Sequence, residues 1–143
     1  MNSIHILLVE DNEADILLTK EALHDLKILV NLSVVNDGEK AINFIEKKGN
    51  YSGTATPDLI LLDVNLPKKN GHEVLQFIKE NDFYKHIPVI MLTTSSSQID
   101  INTSYNNHAN CFITKPIEVK DFLNVIATIE NFWISIVKLP TNK

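Results

Sequence analysis

The sequence predicts an α/β protein: a doubly wound five-stranded parallel sheet carrying five helices. Three observations predict it. Short apolar runs alternate with longer segments of helical spacing along all 143 residues. The runs are continuous rather than alternating, as strands covered on both faces are. Four of them stop at residues that can do chemistry: Glu10 and Asp11, Asp63, Thr93, and Lys115. In an open parallel sheet such residues collect at one edge, where ligands bind.

Taken in order, Ile4–Val9 is the first strand, and Asn12–Lys27 a helix with Ala14, Leu17, Leu18 and Ala22 on one face. Asn31–Val35 is a short strand, Asn36-Asp37-Gly38 a turn, and Glu39–Lys48 a second helix through Ala41, Ile42 and Ile45. Gly49–Pro57 is rich in Gly, Ser and Thr and reads as a loop. Asp58–Val64 is the strongest strand signal. Leu66-Pro67-Lys68-Lys69-Asn70-Gly71 is a loop, and Val74, Leu75 and Ile78 mark a third helix. After a second loop, Asn81–Ile87, Pro88 opens the strand that ends at Thr93. Ser95–Ala109 is weakly helical and polar, and Cys111–Thr114 is the last strand, stopped by Lys115-Pro116. Phe122, Val125, Ile126, Ile129, Phe132, Trp133, Ile136 and Val137 place a helix over Glu118–Lys138. Right-handed crossovers turn this alternation into the doubly wound sheet.

A chain of this length has room for one domain with a real core. A net charge of −5 and the absence of arginine argue against nucleic acid as the ligand. The single cysteine, Cys111, allows no intrachain disulfide and is expected to be a buried, inert thiol. The first residues lack a basic region and reach Glu10-Asp11 early, so no secretion signal is expected. No apolar run approaches the roughly 20 residues of a membrane span. A cytoplasmic location is expected. His5, His24, His72, His86 and His108 show no ligand spacing and are read as structural or exposed.

The acids set the chemistry. Two carboxylates about 4 Å apart repel by about 4 kcal/mol at an effective dielectric of about 20. Three converging side chains therefore need protons or a cation, and oxygen ligands with open positions suit Mg²⁺. Glu10 and Asp11 alone also fit a helix N-terminus that favours negative charge, but Asp63 at an equivalent strand end favours the metal. Asp63 is the candidate nucleophile toward phosphorus, Lys115 a point charge for phosphoryl oxygens, and Thr93 a hydroxyl donor to them. The plainer readings are a β-branched strand residue for Thr93 and a solvated lysine before a turn proline for Lys115.

Together these residues resemble a known family. Val9-Glu10-Asp11-Asn12, Leu61-Leu62-Asp63-Val64-Asn65-Leu66-Pro67 with Gly71, Leu92-Thr93-Thr94-Ser95 and Thr114-Lys115-Pro116 are similar to the receiver domain of two-component response regulators. The resemblance covers nearly the whole chain and implies the flavodoxin-like receiver fold. It implies that Asp63 accepts a phosphoryl group from a phosphohistidine of a sensor histidine kinase. It also implies Mg²⁺ held by Asp11, Asp63 and the carbonyl of Asn65, with Glu10 acting through water. Glu10 departs from the commoner aspartate pair. Asn65 and Ser95 match positions that tune hydrolysis of the aspartyl phosphate. Phe112 matches the switch aromatic, with a plain core phenylalanine as the other reading. The output is then a shift of the face formed by the fourth helix, the last strand and the last helix.

The ending Phe132-Trp133 through Val137-Lys138-Leu139-Pro140, the loop at Gly49–Pro57 and Thr93-Thr94-Ser95 look like the phytochrome-associated single-domain regulators. That implies a phytochrome-type kinase as partner. Residues 1–143 are expected to form one receiver domain, with a core over 3–130, a helical extension over 131–140 and no output domain. The signal then passes to a downstream protein target or a phosphotransfer protein. Phe132, Trp133, Ile136 and Val137 are either core or a homodimer or partner surface. Two other functions stay in view. A Mg²⁺-dependent phosphohydrolase would carry a second acid two residues after Asp63, where Asn65 stands and cannot act as a general acid. A degenerate receiver would bind partners without phosphorylation, against which the complete acid, threonine and lysine set argues. The chain is not expected to be an enzyme beyond supporting its own phosphotransfer and slow autodephosphorylation.

Overall fold

Five parallel strands lie in the order β2-β1-β3-β4-β5. A computed structural model describes residues 3–26, 29–93 and 111–128. The elements are β1 (Ser3–Val9), α1 (Glu13–His24), β2 (Leu29–Val35), α2 (Gly38–Glu46), a 3-10 turn (Gly49–Tyr51), β3 (Leu59–Asp63), α3 (Gly71–Glu80), β4 (Val89–Thr93), β5 (Cys111–Thr114) and α4 (Val119–Thr128). The helix expected over Ser95–Ala109 lies outside the described residues, so four helices are seen where five are predicted. Ser95, His108, Phe132, Trp133, Ile136 and Val137 also lie outside them.

The continuous apolar runs are explained by two core layers. Every residue of β3 and β4 is buried. Ile6, Leu8, Leu61 and Leu92 pack on one face against Leu23 of α1 and Phe122 of α4. Leu7, Val9, Ile60, Leu62 and Met91 pack on the other face against Phe44 and Ile45 of α2 and Leu75 and Ile78 of α3. Each such aliphatic side chain contributes about 1.5–3 kcal/mol by leaving water.

Several boundaries differ from those expected, each for a local reason. The first helix starts at Glu13 because Asn12 is its extended N-cap, and Asp25 closes it. Its buried face also differs: Thr19, Ala22 and Leu23 point inward, while Leu17 and Leu18 are 58% and 44% exposed. The second helix begins at Gly38, capped by Asp37, and ends at Glu46 because Lys47 takes a left-handed conformation with φ 59°. The Asp58 carboxylate accepts the His5 amide at 2.9 Å, so Asp58 stands outside β3. Cys111 is half-buried rather than buried because β5 is an edge strand. His5 is structural, with its ring against Phe44 and Nε2 within 2.9 Å of Ser33 Oγ. Among the described residues no helix is long and apolar enough to cross a membrane.

Candidate functional site

The strand order creates the site. From β1 the chain goes to β2 on one side, and β3 lies on the other. Crevices at such a reversal, outside the carboxyl ends of the strands, are where open α/β sheets take ligands. Register fixes what stands there: Val9 is beside Leu62, Asp63 beside Leu92, and Thr93 beside Thr114. The ladder carries on past the strands, with Glu10 N–H donating to the Val35 carbonyl at 3.0 Å and Lys115 N–H to the Thr93 carbonyl at 2.7 Å. Backbone hydrogen bonds therefore hold these two residues, which sit just past the strand ends.

Turn chemistry aims the side chains. Asn12 Oδ1 accepts the Asp15 amide at 2.9 Å, and the Asn12 amide donates to Glu10 Oε2 at 3.2 Å. This cap folds α1 back over the edge, leaving Asp11 exposed and Asp15 half-buried. On the far side, Gly71 N–H donates to the Val64 carbonyl at 2.9 Å. A Cβ at Gly71 would collide with the Asp63 carbonyl oxygen and Val64 Cα. Only glycine lets α3 start this close behind Asp63. Asn70 and Glu73 form a capping box that fixes the same helix end, at 2.9 and 3.0 Å.

Glu10, Asp11 and Asp63 converge, each offering an oxygen within 4.8 Å of the others. Lys115 joins them. Its Nζ donates to Glu10 Oε1 and to Asp15 Oδ2, both at 2.9 Å, and lies 3.4 Å from Asp63 Oδ1. Burial pushes the Asp63 carboxyl up to about 7, helped by a hydrogen bond with Glu10 and by its charge. Lys115 and the Asn65 amide, 3.4 Å from Oδ1, pull it down but do not offset the rise. For Lys115 burial lowers the pKa, and the Asp15 and Glu10 hydrogen bonds with the charges of Asp63 and Glu10 outweigh it, so the ammonium is raised.

The donor set fits a divalent cation. Mg²⁺ takes oxygens at about 2.0–2.1 Å, and three carboxylate oxygens within 4.8 Å of one another are close enough for one such ion to be held among them. One exposed and two buried acids leave room on the open side for water or a phosphoryl oxygen.

The expected residues fall as follows. Glu10, Asp11, Asp63 and Lys115 are brought together. Asn65 adjoins Asp63 through its amide. Thr93 is buried at the end of β4. Phe112, on the edge strand, is half-buried against the α2–α3 core layer. Asp15 is the residue that sequence reasoning missed. Its only signal was an acid in the first turn of a helix, which the helix dipole accounts for equally well.

Sheet order, strand-end acids and the lysine together define a receiver. The model of the response regulator receiver domain matches residues 6–127, and the chain belongs to that family, the response regulators of two-component signalling. Among similar proteins, Response regulator Rcp1 of Synechocystis sp. is 46% identical over 135 residues, covering 94% of this chain and 92% of its own. The phosphorylated cyanobacterial phytochrome response regulator RcpA has a crystal structure with TM-score 0.79 and 44% identity, over 94% of this chain and 96% of that one. The Mn²⁺-bound form of Rcp1 gives 0.76 and 45%, over 91% and 94%.

Proposed function

We propose that this chain is a phosphoacceptor switch: Asp63 takes a phosphoryl group from a phosphohistidine of a sensor histidine kinase. The supporting observation is the convergence of Glu10, Asp11 and Asp63 within 4.8 Å, with Lys115 bonded to Glu10. An Asp63 carboxylate oxygen forms the new bond to phosphorus, the phosphorus–nitrogen bond breaks, and the leaving imidazole keeps the electron pair. Mg²⁺, held by Asp11, Asp63 and the Asn65 carbonyl with Glu10 acting through water, would screen the charge between the reacting oxygens. Lys115 pairs with the phosphoryl oxygens and Thr93 donates its hydroxyl to them. The similarity to RcpA, a phytochrome response regulator by its own description, makes a phytochrome-type kinase the proposed donor.

The phosphoryl group carries roughly −1.5 to −2 charges in place of the single charge of the carboxylate, and presents three strong acceptors. Thr93 and Lys115 follow it, Phe112 repacks, and the face beside β5 shifts its population toward a partner-binding form. The test is phosphoramidate, which carries the same phosphorus–nitrogen bond, supplied with Mg²⁺. One phosphoryl group is expected on the native chain and none on Asp63→Asn; an unmodified native chain would overturn the reading.

A further inference from the structure

We infer that Asp15 is a positioning residue that competes with the phosphoryl group for Lys115, and so sets how readily the switched state forms. The inference rests on the phosphoacceptor reading and adds a residue to it. Lys115 has three N–H donors and three carboxylates around it, Glu10 and Asp15 at 2.9 Å and Asp63 at 3.4 Å. Two of its donors are therefore bonded to acids, with a third acid in ion-pair range, before any phosphoryl group arrives.

These contacts differ in what it takes to release them. Glu10 is wholly buried and Lys115 is 7% exposed, so parting them would strand charge away from water. Asp15 is 25% exposed and stands on the first turn of α1, open to solvent on one side. Water can take over its carboxylate at small cost, which makes it the contact that lengthens. Its hold on Lys115 is nonetheless direct and charged, and it pulls the ammonium toward α1. A group added to Asp63 beyond Oδ1 draws Lys115 the other way. Asp15 and the phosphoryl oxygens thus act on the same ammonium in opposition.

The cap makes this geometry specific. Asn12 Oδ1 holds the Asp15 backbone amide at 2.9 Å, fixing where the side chain starts. Glu13, two residues earlier on the same turn, is exposed and is not among the acids paired with Lys115. A general effect of negative charge near the site would act through both acids. Competition for Lys115 acts through Asp15 alone.

The experiment uses beryllofluoride, an anion that adds to a carboxylate oxygen and stands in for the phosphoryl group, at saturating Mg²⁺. Native protein, Asp15→Asn and Glu13→Gln are titrated in parallel. Asp15→Asn is expected to bind beryllofluoride about two- to fivefold more tightly, the size of a partly exposed ion pair released. Glu13→Gln is expected to match the native protein. Unchanged or weaker binding by Asp15→Asn overturns the role, as does an equal gain in both variants. Asp15→Glu, which keeps the charge, is expected to return affinity toward the native value, and failure to do so also counts against competition. If native protein binds no beryllofluoride, the phosphoacceptor reading itself has failed. If native protein binds it through Asp63 and Asp15→Asn gains nothing, only the competition has.

Discussion

Lys115 Nζ lies 2.9 Å from Glu10 Oε1 where Glu10 has no exposed surface and Lys115 is 7% exposed. The two residues are 105 positions apart in sequence. Removing one partner of a buried pair costs about 3–5 kcal/mol because the other is left uncompensated. Lys115→Ala is therefore expected to lower stability by about 3 kcal/mol in urea titrations with chelator present. Added Mg²⁺ is expected to restore part of the loss, since a cation then answers the same acids. A loss under about 0.5 kcal/mol, the range of exposed pairs, would contradict the burial argument.

Asp63 predicts a pH dependence. Its carboxyl is raised from 3.8 to about 7, so the folded protein holds a proton that the unfolded chain gives up. The stabilising contribution is full below about pH 4 and is lost as pH rises through about 7. Asp63→Asn removes the charge that burial disfavours. Its stability advantage over the native chain is expected to grow between about pH 4 and 7, by on the order of 1.4 kcal/mol per pH unit at most, and to level off above that. Parallel urea profiles for the two proteins would sink the prediction.

The same proton predicts how the metal binds. A cation at Asp63 has to displace it, so binding releases a proton. Mg²⁺ affinity is expected to rise about tenfold from pH 6 to 8, following the ionised fraction of a group with a pKa of about 7. Calorimetry in two buffers of different ionisation heat reads the proton directly. Equal heats in both buffers at pH 6 would contradict a proton held on Asp63.

Gly71 is expected to be a site determinant without touching any ligand. A Cβ there meets the Asp63 carbonyl oxygen and Val64 Cα, both backbone, so the strand end itself must move. Gly71→Ala is expected to cost about 1–3 kcal/mol, as overpacking does. Mg²⁺ binding should weaken with it, because Asp63 shifts. Asn70→Ala breaks the capping box at the same helix end for about 1 kcal/mol but leaves Asp63 in place. If both variants weaken Mg²⁺ equally, the steric account of Gly71 is wrong.

Much of this was legible in the sequence for one reason. A strand buried on both faces is apolar throughout, so its first polar residue marks the sheet edge. Glu10 and Asp63 are legible that way, and Lys115 as the residue that ends the last short apolar run before Pro116. What stayed hidden depends on neighbours in space. Alternating strands and helices imply a parallel sheet, but the alternation alone does not say that β5 is an edge, and so Cys111 was expected to be buried. Helical spacing chose Leu17 and Leu18 for the core of α1, because two apolar stripes share that helix and only packing against the sheet selects the one through Thr19, Ala22 and Leu23. Asp15 looked like an ordinary first-turn acid. Its contact with Lys115 follows from the Asn12 cap and from the placement of β5, neither of which leaves a spacing in the chain.

The most direct measurement is the intact mass of the protein after incubation with acetyl phosphate and Mg²⁺, with Asp63→Asn and a chelated sample alongside. The native chain is predicted to gain one phosphoryl group, and the variant and the chelated sample none. A native chain that stays unmodified, or a variant that gains the group equally, would contradict the convergence of these residues on one phosphoryl-accepting site.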